Sequence, residues 1–156
     1  MRKACVAFLV AATLLYLVGC SNSFVFPDED QFELLVEVNK KEFTVGEELE
    51  VEGVFINHSE HSYKLSSSAT FSQTGLIHMN LYEQGEEELF LVGAIKKVTL
   101  RGNDKRVEPQ KYKLEKPGMY KLVASSFFDI TNPDTSESKE YLVKAETVYI
   151  EVSPGN

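Results

Sequence analysis

Leu114-Glu115-Lys116-Pro117-Gly118-Met119-Tyr120-Lys121-Leu122-Val123-Ala124 is the stretch whose reading decides the fold class. Pro117 fits the second position and Gly118 the third of a type II turn over Lys116–Met119. Beyond it Tyr120, Leu122, Ala124 and Ser126 alternate with other residues towards Phe128, the period of a half-buried strand. A tyrosine two positions past a Pro-Gly turn, opening a late strand, suits a tyrosine corner, whose hydroxyl bonds back to upstream backbone. The competing reading is a tyrosine that is simply core.

Upstream the same period recurs. Phe32, Leu34, Val36 and Val38 alternate with Glu33, Leu35, Glu37 and Asn39, and Leu49, Val51, Gly53 and Phe55 alternate with Glu50, Glu52, Val54 and Ile56. Lys40–Thr44 reads as a turn, Asn57–Ser62 as a turn-rich break, and Tyr63–Leu65 as the start of a third strand. Leu76–Glu83 alternates again, with Gln84–Glu88 as a hairpin tip, Leu89–Val92 as the return and Val98–Leu100 as an edge. Downstream, Ile130–Ser138 is a polar loop, and Tyr141–Ala145 with Val148–Val152 forms a last long strand bent by a bulge near Glu146. Seven to nine short strands with almost no helical period give an all-β, Ig-like antiparallel β-sandwich over residues 32–153. Residues 20–31, with Phe24 and Phe26 spaced for one strand face, read as a tether before it.

The first nineteen residues have another character. Arg2-Lys3 stands before an apolar run, Ala4–Val18, which is too short for the roughly 20 residues of a spanning helix and has no basic stop-transfer flank. The run closes on Leu17-Val18-Gly19-Cys20, which resembles the lipobox of bacterial lipoproteins. The resemblance implies a signal peptide of residues 1–19, cleavage behind Gly19 and a diacylglyceryl thioether on Cys20. Two acyl chains anchor stably where one gives only reversible binding. The expected place is the extracytoplasmic face of a membrane, and an outer membrane in a two-membrane cell, because Ser21 is not the retention-signalling Asp.

Removing residues 1–19 takes away Arg2 and Lys3 and no acid, leaving 137 residues with 14 basic and 24 acidic side chains, a formal charge of −10. That length is one domain. A basic face for phosphate is not on offer, so nucleic acid is not an expected partner. With Cys5 in the signal and Cys20 the lipid site, the mature domain holds neither free thiol nor disulfide, and its stability rests on the apolar core.

Candidate chemistry is thin. His58-x-x-His61, with His78 and a carboxylate such as Glu60, has metal-ligand residue types, but His58 and His61 share one turn. Asp129, Asn132 and Asp134 bring oxygen ligands to one loop without the EF-hand spacing, in a place where turns favour Asn and Asp anyway. No nucleophile elbow, zincin motif, phosphate loop or dinucleotide fingerprint occurs in the sequence. Neither a catalytic group nor a cofactor is expected.

Val45-Gly46-Glu47, Asn57-x-Ser59, Tyr63-x-Leu65 and Pro117-Gly118-x-Tyr120-x-Leu122-x-Ala124 together resemble the BsuPI-type intracellular proteinase inhibitor domain, over residues 32–130. The resemblance implies an Ig-like fold and, as one alternative, proteinase inhibition; export and the lack of any Trp depart from the family pattern. The primary expectation is a lipid-anchored, non-catalytic binding or assembly module for an envelope protein or polymer. Its contacts would come from loops 57–62 and 131–138, with Asn57, His58, His61, Asn132 and Asp134 as the candidate residues. A metal-dependent enzyme or sensor is the other alternative.

Overall fold

The computed structural model describes residues 24–68, 75–87 and 95–155. The signal segment, the lipobox with Cys20, and the strand expected over Leu89–Val92 lie outside the described residues.

A three-residue 3-10 turn, Glu29–Gln31, leads into ten strands: β1 (Phe32–Val38), β2 (Glu42–Thr44), β3 (Glu48–Asn57), β4 (Tyr63–Ser68), β5 (His78–Glu83), β6 (Ile95–Leu100), β7 (Lys105–Lys113), β8 (Gly118–Thr131), β9 (Ser138–Lys144) and β10 (Val148–Ser153). One sheet has the order β1-β3-β7. The other is built on β8, with β10 and β9 along one side and β5 and β4 along the opposite side; β2 pairs with β10 and β6 with β4. The ten strands therefore occupy eight lanes, and the fold is an Ig-like sandwich.

β9 and β10 are one lane with a defect. Ser125 pairs with Lys144 and Leu122 with Val148, so three residues, 145–147, face the two residues Val123 and Ala124. That is a β-bulge, centred on the expected Glu146. The tyrosine corner also forms: the Tyr120 hydroxyl donates to Lys116 O at 3.0 Å, and the residue is buried. The expected type II turn does not. Gly118 has φ 147°, far from the roughly +80° of that turn, and already begins β8 opposite Val152.

β8 runs past Phe128 to Thr131, so the buried Ile130 is strand and not the start of the expected polar loop, and two further strands depart from the sequence reading. Lys40–Thr44 contains β2, because Phe43 buries its ring in the core and residues 42–44 pair in parallel with the edge left open by Glu151–Ser153. β7 is a nine-residue strand with no apolar alternation. Its inward positions are Arg106, Glu108, Gln110 and Tyr112, and Pro109 sits on an outward position. Asn57 N bonds Asp104 O in the same register, so even-numbered β7 residues face β3. The missing Pro109 N–H would have pointed away from the ladder, as an edge strand permits.

The core is pinned by rings in place of a disulfide or a Trp. Phe32 lies at 5.8 Å from Phe55, 6.1 Å from Tyr63, 5.3 Å from Phe128 and 5.5 Å from Tyr141, centroid to centroid. Phe32 and Phe55 come from the three-stranded sheet and the rest from the other, so three of these four contacts join the layers. Each such pair adds about 0.5–1.5 kcal/mol beyond its burial.

Candidate functional site

Three connections gather at one end of the sandwich: residues 58–62, 101–104 and 132–137. The registers Tyr63–Leu100, Leu65–Ile130 and Thr131–Ser138 put them there. Asn57 is fully buried; its amide donates to His61 O at 3.0 Å and Arg101 O at 2.8 Å, and its Oδ1 accepts from Ser59 N at 3.1 Å. Ser59 takes the His61 N–H and shares a bond with the Tyr63 hydroxyl. Gly102 is needed here, since a Cβ would land on Glu60 O. Asn57 therefore ties the loop to the β6–β7 hairpin and presents no polar atom outward.

Asn132 behaves the same way. Its Oδ1 accepts from Asp134 N at 2.8 Å and Thr135 N at 3.4 Å, shaping the loop rather than facing a ligand. His58, His61 and Asp134 are exposed. His58 Nε2 meets Glu33 at 2.8 Å instead of turning to His61. Among the described residues no group of three His, Cys, Asp or Glu side chains is placed to hold a metal ion. The five sequence candidates thus share one pole, but two of them are structural pins and the other three do not converge.

The N-terminal residues reach the same pole. His58 N donates to Gln31 O, Pro27 is buried, and the buried Tyr141 hydroxyl donates to Pro27 O at 2.9 Å. Burial, with Tyr63, Glu29 and Asp28 nearby, pushes that hydroxyl up to about 12. Phe24 and Phe26 stack edge to face at 5.1 Å and pack on the core. Residues 24–31, read as tether, lie against the domain.

The two flanks of the sandwich differ sharply. Beside β7, Glu108 accepts from Leu76 N at 2.7 Å and Ile77 N at 3.3 Å, and the Tyr112 hydroxyl donates to Met79 O at 2.6 Å. Gly75 lets the carboxylate lie against the backbone, where a Cβ would collide with Glu108. Side chains of β7 thereby bond the backbone of β5 and of the residues leading into it, and burial holds the Tyr112 hydroxyl well above its ordinary range.

On the opposite flank a groove of about 1100 Å³ runs between β1 and the β9–β10 lane. It is lined by Phe32–Val38 and Lys41 on one wall and by Val143, Lys144 and Glu146–Tyr149 on the other. Gln31 O and Asn39 N bond across to β3, so the odd residues of β1 face β3. The N–H and C=O of Phe32, Leu34, Val36 and Val38 consequently point into the groove. In β9, Ala145 N bonds Ala124 O and Asn132 N bonds Glu137 O, so even residues face the groove there. Neither edge is paired along this stretch by a described residue. Leu35, Leu142 and Tyr149 are exposed around it, at 40%, 50% and 59%. The alternation that marked β1 as a strand gave no sign that it would be an edge.

No family model and no curated protein matches the chain. Among solved structures it is similar to the CARDB domain of the PF1109 protein from Pyrococcus furiosus, in complex with di-metal ions, at 15% identity over 86% of this chain and 100% of that one, with a TM-score of 0.48. It is also similar to the C-terminal domain of wzt, at 8% identity over 87% of this chain and 81% of that one, TM-score 0.44. A third is Spo0M, a sporulation control protein from Bacillus subtilis, at 13% identity over 74% of this chain and 49% of that one, TM-score 0.38.

Proposed function

We propose that this chain is a membrane-anchored extracytoplasmic lipoprotein whose sandwich is a non-catalytic binding module, taking its partner at the β1/β9–β10 flank. The observation that carries the reading is the groove of about 1100 Å³ bounded by two sheet edges that no described strand pairs. An open edge next to a concavity is a place where a second chain can be held by backbone bonds. The anchoring rests on the n-region, apolar run and Leu17-Val18-Gly19-Cys20 motif.

Cys20 stands four residues before Phe24, a reach of at most roughly 14 Å at about 3.3–3.6 Å per residue. Gln31 O accepts from His58 N at the pole that carries loops 58–62 and 132–137, and Pro27 O accepts from the Tyr141 hydroxyl. An acyl chain on Cys20 would tie this end of the chain to the bilayer.

Mass spectrometry of Cys20 in the native membrane fraction tests the anchor; an unmodified Cys20 still joined to Gly19 in a soluble fraction overturns it. Pull-down from envelope extract with Tyr149→Ala, against His61→Ala with Asp134→Ala, tests the siting. Recovery falls with the first and persists with the second; the reverse result returns the site to the loops.

A further inference from the structure

Lys41, Lys144 and Glu146 also line the groove, and the charges along β1 specify what its own edge takes. Its outward side chains are Glu33, Leu35 and Glu37, and no described strand pairs the edge backbone of Phe32, Leu34, Val36 and Val38 beside them. Glu33 has a hydrogen-bond partner in His58 Nε2 at 2.8 Å. Glu37 has none among the described residues: its cross-strand neighbour on β3 is Glu52, both are exposed, and neither has a cationic partner there. Like charges directly opposite in a ladder are unfavourable, and a lysine on the other side of Glu37 relieves the pair. Leu35 is exposed and sits across from the apolar Val54, which in turn pairs with Val107.

We propose, building on the flank reading above, that β1 accepts an extended peptide segment as an added strand, with a basic residue beside Glu37 and an apolar one beside Leu35. A second copy of this chain fits worse. The symmetric antiparallel pairing of β1 with itself is centred on Leu35 and sets Glu33 opposite Glu37 in both halves. A parallel β1 pair places each glutamate near its own copy. No Pro or bulge interrupts β1 to block an incoming strand.

The test uses the full chain in a neutral detergent, with two capped heptapeptides of alternating residues, valine with lysine and valine with glutamate. Nuclear magnetic resonance follows amide exchange at Phe32, Leu34, Val36 and Val38. The lysine peptide protects those four amides and binds about threefold to fivefold tighter than the glutamate peptide. Glu37→Lys, on an exposed position, reverses that preference while leaving the spectrum otherwise intact. Four observations overturn the proposal: equal binding of the two peptides, protection on β9 rather than β1, protection without any peptide, or a dimer through β1 in sedimentation. The anchoring reading fails separately, on the mass of Cys20, and the flank reading fails if no peptide protects either edge.

Discussion

The two flanks of this sandwich meet the same problem with different side chains. Where β7 passes β5, its inward positions are polar, and Glu108 and Tyr112 satisfy the backbone of Leu76, Ile77 and Met79. Where β1 passes β9, its inward positions are Phe32, Leu34, Val36 and Val38, which can fill space but cannot bond an N–H or a C=O. One flank is closed by side-chain bonds across the layers, and on the other no described residue bonds the edge backbone of β1. An edge strand with polar inner positions seals a sandwich; one with apolar inner positions leaves its backbone on offer.

The sharpest way to break that contrast is Glu108→Ala. Leu76 and Ile77 are buried, and losing two bonds to a carboxylate should cost about 4 kcal/mol in denaturant unfolding. A loss below about 1 kcal/mol would mean the β7 flank is no more closed than the β1 flank. Asn57→Ala comes next, with a loss of about 3 kcal/mol from three broken internal bonds at a fully buried position. An Asn57 that served a ligand would leave stability unchanged.

Tyr141→Phe removes the bond to Pro27 O that fastens residues 24–31 above the open flank, for about 1 kcal/mol. It also changes the alkaline limb. The Tyr141 hydroxyl is raised to about 12, so above pH 10 the unfolded chain releases that proton before the folded one does. Stability then falls as pH rises from 10 towards 12, and the phenylalanine variant shows a shallower fall in melting temperature over that window. Glu37→Lys has the smallest effect, a change within about 0.5 kcal/mol and on the stabilising side, because it turns the Glu37–Glu52 pair into opposite charges.

Much of the fold was legible. Alternation located β1, β3, β5 and β8, Tyr120 marked its corner, and the break in apolar spacing around Glu146 marked the bulge. β7 was not legible because its inner side chains bond to the other sheet instead of burying apolar surface, so the sequence carries no period there. β2 was too short for any pattern, and only Phe43 hinted at it. The candidate site was legible only as loops rich in His, Asn and Asp. The side chains in those loops that look most ligand-like, Asn57 and Asn132, turn out to hold the loops together.

By itself the sequence determined the layered all-β form, since period-two burial with turn residues between the runs permits little else. It also determined the acidic balance and the lipobox-like Leu17-Val18-Gly19-Cys20 before the domain. Only the tertiary structure decided which strands became edges, which flank was sealed, and that the groove lies along β1. Strand order and side-chain reach across the two layers depend on contacts between residues far apart in the chain, and local residue patterns do not encode them.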